Sequence, residues 1–84
     1  MMDAPVYWIE TEEEEIHFID AIVSAYDGLA NVRREFKIED GAMLFKVYVS
    51  PGMEDEFLGL MKRLQKTAKI GRVVRQGERD GSVP

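Results

Sequence analysis

The chain has 84 residues, 45% hydrophobic and 10% aromatic, which is enough for one globular domain and too apolar for a disordered segment. Sixteen acidic against eleven basic residues leave a net charge of −5, which opposes non-specific attraction to phosphate backbones and anionic membranes. Cysteine is absent, so disulfides, thiol catalysis and cysteine-ligated metal or iron–sulfur centres are excluded.

The opening Met1-Met2-Asp3-Ala4-Pro5 carries no basic region and no long apolar run, so no signal peptide is expected. No stretch reaches the ~20 apolar residues that span a bilayer, and a cytoplasmic protein is expected. Val6-Tyr7-Trp8-Ile9 is a short apolar run of β-branched and aromatic residues, apolar on both faces, and reads as a central strand. Thr11 with Glu14 three residues on has the form of a capping box, and Glu12 to Glu15 place negative charge at the start of a helix. Ile16, Ile19, Ile22, Val23 and Tyr26 then fall on one helical stripe, which Phe18, Ala21 and Ala25 widen to roughly 220°. Gly28 sits where a left-handed residue would end this helix, giving a helix over about 11–27.

Leu29 to Glu39 and Ala42 to Val49 both alternate, joined by the tight-turn pair Asp40-Gly41. A two-residue turn sets Glu39 against Ala42, and the register predicts Ile38–Met43, Phe36–Phe45 and Val32–Val49 on one face. On the other face it predicts Glu35–Lys46 and Arg33–Tyr48. Arg34, opposite Val47, breaks the pattern. Ser50 is a candidate cap with Pro51 at the first helical position, and Met53, Phe57, Leu60, Met61 and Leu64 form an amphipathic stripe in a second helix over about 51–68. Gly59 lies on its solvent side at a cost of about 1 kcal/mol relative to alanine, which suits a close approach by a partner. Ile70 to Arg75 reads as a last strand, and the polar segment ending at Pro84 as a frayed tail.

The order strand, helix, strand–turn–strand, helix, strand is that of an α+β ferredoxin-like βαββαβ sandwich. Right-handed crossovers give a four-stranded antiparallel sheet of order 4-1-3-2, with both helices on one face and the other face open. The expected unit is a single domain with an ordered core of about 5–76.

The chain offers little chemistry. His17 is the single histidine, flanked by Glu13 and Asp20 at helical spacing. A metal site needs three or four ligands and a catalytic pair needs a second positioned group, so no metal, no catalytic residue and no cofactor is expected. Four consecutive glutamates at the helix start repel the anions that such a terminus would otherwise cradle, which argues against an acylphosphatase-like activity. RNA-recognition domains share the element order and stack bases on their central strands, where Tyr7 or Trp8 and Tyr48 would fall. The segment Gly41 to Tyr48 (GAMLFKVY) lacks their basic and glycine pattern, so nucleic acid is a minor reading.

The runs FIDAIVSAYDGLANVR (Phe18 to Arg33) and GAMLFKVYVSPG (Gly41 to Gly52), with the second helix after them, resemble a small bacterial family of uncharacterised ferredoxin-like proteins, domain of unknown function DUF4911. The resemblance implies the fold and supplies no catalytic residue. The topology is also similar to amino-acid-binding regulatory ACT domains, but Glu10-Thr11-Glu12 stands where those carry a glycine-bearing ligand loop.

The expected role is therefore a non-catalytic assembly or regulatory module, with ACT-like sensing of a small ligand as the alternative. Whichever face of the first strand turns inward, either Val6 and Trp8 or Tyr7 and Ile9 is left outside, beside Leu44, Lys46 and Tyr48, with Phe18 on the helix margin as a second apolar surface. The candidate interface is accordingly Tyr7, Trp8, Ile9, Phe18, Leu44, Lys46 and Tyr48, in a homodimer that buries the open sheet face or a strand edge. The bland alternative is a monomer whose Lys46, Arg33 and Glu35 stems cover the patch.

Overall fold

A computed structural model describes residues 4–77. The expected frayed tail lies largely outside the described residues. Six elements follow in the expected order: β1 (Val6–Thr11), α1 (Glu13–Ser24), β2 (Ala30–Glu39), β3 (Ala42–Val49), α2 (Glu54–Leu64) and β4 (Ile70–Arg75). The strands form one antiparallel sheet of order β2-β3-β1-β4. Tyr7 and Ile9 of β1, with Phe45, Val47 and Val49 of β3, pack against Ile16, Ile19 and Val23 of α1 and Phe57, Leu60, Met61 and Leu64 of α2. Both helices therefore cover the same face of the sheet.

Both helices start later than their sequence signals suggest, for local reasons. Thr11 is the last residue of β1 and buried, and its hydroxyl donates to the Lys69 carbonyl at 2.8 Å. The capping box is thus not formed, and α1 opens behind Glu12 with Glu13, Glu14 and Glu15 in its first turn and no side-chain cap. Ser50 is likewise not a helix cap. Its hydroxyl donates to the Gly28 carbonyl, while its own carbonyl accepts the Met53 N–H at 2.9 Å across a turn with Pro51 and Gly52 at the middle. Gly52 has φ +86°, the conformation that proline followed by glycine favours in such a turn, so α2 begins only at Glu54. At its far end α1 tightens, Ala25 donating to Ile22 and Tyr26 to Val23, and Gly28 with φ +75° serves the turn after the helix.

The β2–β3 hairpin starts in the expected register. Asp40 and Gly41 both have positive φ, and Glu39–Ala42, Ile38–Met43 and Phe36–Phe45 are opposed. Beyond Phe36 the register shifts. Val32 lies opposite Val47, Asn31 opposite Tyr48 and Ala30 opposite Val49, so the expected pairs Val32–Val49, Glu35–Lys46 and Arg33–Tyr48 do not form. Arg33, Arg34 and Glu35 on β2 span what Lys46 alone spans on β3. This bulge removes the charged Arg34 from the place opposite Val47 that had spoiled the pattern.

A second irregularity lies between β1 and β4, where Ile9 pairs with Val73 but Thr11 with Ile70. The Glu10 carboxylate fills it, accepting the Arg72 backbone N–H at 3.0 Å and its Nε at 3.1 Å. Those two donors, the backbone one foremost, hold Glu10 below the usual carboxylate range.

Gly59 is not demanded by packing within the chain. A Cβ there would meet only the Arg63 guanidinium, at an ordinary 3.7 Å. Gly59→Ala is therefore expected to stabilise the domain by about 0.5–1 kcal/mol through helix propensity, read as a higher urea midpoint. A lower midpoint would contradict the open space seen at this position.

Candidate interface

The packing of β1 decides which of its apolar faces remains outside. The Tyr7 ring lies 5.1 Å from that of Phe57, and its hydroxyl donates to Glu54 Oε1 at 2.6 Å. Arg75 Nε donates to the same oxygen at 2.8 Å, so a tyrosine, a carboxylate and a guanidinium lock β1, α2 and β4 together. Tyr7 and Ile9 are core residues, and Val6 and Trp8 lie on the open face.

On that face Trp8 of β1 stands beside Leu44, Lys46 and Tyr48 of β3, since β1 and β3 pair Val6–Tyr48, Trp8–Lys46 and Glu10–Leu44. Four of the seven candidate interface residues are thus brought together. The patch is partly roofed by the chain itself. Lys37 Nζ lies 4.4 Å from the centre of the Trp8 ring, Lys46 Nζ lies 5.1 Å from that of Tyr48, and Trp8 Nε1 donates to Gln76 Oε1 at 2.9 Å. Leu44 is only 1% exposed although no helix covers it. Arg72 bridges Glu10 and Glu39, at 3.1 and 3.9 Å. A groove of about 400 Å³ runs between Trp8, Lys37, Leu44, Arg72 and Val74. The face offers cations laid over aromatic rings, a form of the lysine cover expected as the bland alternative, with Lys37 in place of Arg33 and Glu35.

Phe18 is on a different surface. Only Ile16, Ile19 and Val23 of the wide α1 stripe are buried. Phe18 is 47% exposed, one turn from half-buried Ile22, and Tyr26 one turn further on lines a recess with Gly59 and Arg63 of α2.

Two residues absent from the sequence-based surface are more exposed than any of these. Phe36 and Ile38 are 53% and 60% exposed on the helix side of β2, their partners Phe45 and Met43 being buried and half-buried. Alternation placed both correctly on the inner face, but α1 does not reach them. Its 12 residues extend about 18 Å, whereas the 10 residues of β2 extend about 33 Å, so the turn end of the strand overhangs the helix layer. The signal available in the sequence was the edge position of β2 together with this difference in length.

A recess of about 630 Å³ at the strand ends is lined by Glu10, Thr11, Glu12, Glu13, Met43, Lys69 and Ile70. Glu12 pairs there with Lys69 at 3.7 Å. Among the described residues no three His, Asp or Glu side chains are grouped to hold a metal ion, and no helix is long and apolar enough to cross a membrane.

A four-stranded sheet of this order with two helices on one face defines a ferredoxin-like α+β domain. Within that class the chain belongs to the family described as domain of unknown function DUF4911, whose family model matches residues 9–67. The matched span takes in half of β1, both helices and the hairpin. No curated protein and no solved structure matches the chain.

Proposed function

We propose that the domain is a non-catalytic assembly or regulatory module that works as a homo-oligomer. The observation that carries this reading is the adjacent pair Phe36 and Ile38, both more than half exposed at the end of a ten-residue edge strand. A long edge with bare apolar side chains is costly for a solitary domain, which ordinarily blunts or covers it. The open sheet face is a weaker candidate, because Lys37 and Lys46 already lie over its two rings. ACT-like sensing of a small ligand is the competing reading. Against it stand the glutamates of the recess next to β1, one of them tied to Lys69.

Thermal melts separate the two. For an obligate oligomer the midpoint rises with protein concentration, and a panel of amino acids and nucleotides leaves it unchanged. A midpoint independent of protein concentration but raised by one of the ligands would overturn assembly in favour of sensing.

A further inference from the structure

The backbone of the hairpin fixes what β2 presents at the edge of the sheet. Across a two-residue turn the flanking pair Glu39–Ala42 exchanges both ladder hydrogen bonds, and the next such pair is Lys37–Leu44. The N–H and C=O groups of Phe36 and Ile38 therefore point away from β3. No strand among the described residues lies on that side, since β2 ends the sheet. The residues with outward backbone groups are the same two whose apolar side chains are more than half exposed, although the Phe36 ring also meets that of Phe45 at 5.8 Å.

From this we infer that β2 pairs antiparallel with β2 of a second copy, about a two-fold axis that passes through Phe36 perpendicular to the sheet. This deepens the homo-oligomer reading and rests on it. The pairing joins two four-stranded sheets into one of eight strands with all helices on the same side, and it sets Phe36 against the partner's Phe36 and Ile38 against the partner's Arg34. Those contacts cover the overhanging apolar pair and satisfy its backbone.

Charge selects this register. With the axis at Phe36, Lys37 faces the partner's Glu35, Glu35 faces the partner's Lys37, and Arg33 comes opposite the partner's Glu39. An axis at Lys37 would set that lysine against its own copy and Glu35 against the partner's Glu39. An axis at Glu35 would oppose two glutamates and place Arg33 against the partner's Lys37. Like charges directly across a ladder are destabilising. An axis at Ile38 pairs Lys37 with the partner's Glu39 but runs Phe36 into the partner's turn at Asp40 and leaves most of the strand unpaired. Within one chain these four charges make loose exposed contacts: Arg33–Glu35 and Lys37–Glu39 at 3.8 Å, Glu39–Arg72 at 3.9 Å, and Lys37 over the Trp8 ring at 4.4 Å. Arg33 to Glu35 form the bulge against β3 yet remain within β2, and the two-fold pairing sets them against Lys37 to Glu39 of the second copy. A two-fold pairing uses the edge on both copies, which closes the assembly as a dimer.

The absence of cysteine makes the test direct, because an introduced thiol is the sole one in the chain. Phe36→Cys alters an exposed side chain, and circular dichroism checks that the variant keeps the fold. Under mild oxidation it is expected to cross-link as a dimer within the ~5.5 Å Cα separation of a hydrogen-bonded pair. A mixture of Glu35→Cys and Lys37→Cys chains is expected to give the mixed dimer in excess over either like-with-like product. Tyr48→Cys, on the open face, is expected to stay uncoupled. Cross-linking through Tyr48 and not through Phe36 overturns the β2 register and leaves the homo-oligomer standing, through the open face. Equal coupling at both positions reports random collision and also overturns the register. A chain that neither cross-links nor sediments above monomer mass overturns the register and the homo-oligomer together.

Discussion

Phe57→Ala is expected to destabilise the domain by about 3–5 kcal/mol, the usual cost of emptying a fully buried aromatic site. Phe57 has no solvent exposure, and it is the largest fully buried side chain among the described residues. Its neighbours leave little room for collapse. The Tyr7 ring that faces it at 5.1 Å is tethered through its hydroxyl to Glu54, one turn earlier on the same helix, and Glu54 is held in turn by Arg75 of β4. A cavity under three mutually anchored elements stays a cavity. Domains of this size have total stabilities of order 5–15 kcal/mol, so the loss would be a large share. Urea denaturation measures it, and a change under about 1 kcal/mol would show that α2 is not seated on β1 as described.

Stability is expected to fall steeply between about pH 10 and pH 12, with Tyr7 as the responsible group. Its hydroxyl is pushed up from the ordinary 10 to about 12, first by burial and then by the Glu54 carboxylate it donates to. A raised folded value means that the unfolded chain gives up its proton first. Below pH 10 both states keep the proton and the contribution is whole; above it the unfolded state gains by ionising, until the folded tyrosine also titrates near 12. Two units correspond to roughly 2–3 kcal/mol. Denaturation midpoints measured through this range should drop more in the wild-type chain than in Tyr7→Phe, which has no phenol to ionise here. Equal slopes in the two proteins would contradict the burial of the Tyr7 hydroxyl. Glu54 has the opposite sign. The Arg75 guanidinium, and after it the Tyr7 hydroxyl, hold it below the usual carboxylate range, so its contribution is present at neutral pH and fades on acidification through its lowered value.

The hairpin was legible in the sequence because its signals are local. Asp40-Gly41 demanded two positive φ angles, and the alternation on either side admitted one starting register. The bulge in β2 was not legible, for a reason of parity. Two extra residues return the strand to the same face, so Val32 and Phe36 point inward with or without them, and hydrophobic alternation cannot register the insertion. Its one trace was Arg34 opposite Val47. Thr11 and Ser50 misled for a different reason. Each has the chemistry of a helix cap, but each spends its hydroxyl on a carbonyl distant in sequence, Lys69 for the one and Gly28 for the other. Proline after Ser50 suits the first turn of a helix and the second position of a tight turn equally, and Gly52 settled the choice.

Which face of β1 turns inward depended on partners 47 and more residues away, so two apolar faces left the matter open in the sequence. Three of the candidate interface residues were legible as a group, because Leu44, Lys46 and Tyr48 follow from topology and alternation alone, and Trp8 joins them once the inward face of β1 is known. Their cover by Lys37 was not, since it depends on the β1–β3 register, which brings Trp8 within reach of a side chain two strands away. The exposure of Phe36 and Ile38 follows from comparing a helix with a strand nearly twice its length. That is a property of the assembled layer and of no single segment.

Self-association is the claim on which the account turns. Sedimentation equilibrium of the full chain, at several loading concentrations through the micromolar range, tests it without a probe or a substitution. The account predicts a mass of twice the 9.6 kDa chain at the upper concentrations. A single 9.6 kDa species at every concentration would contradict it.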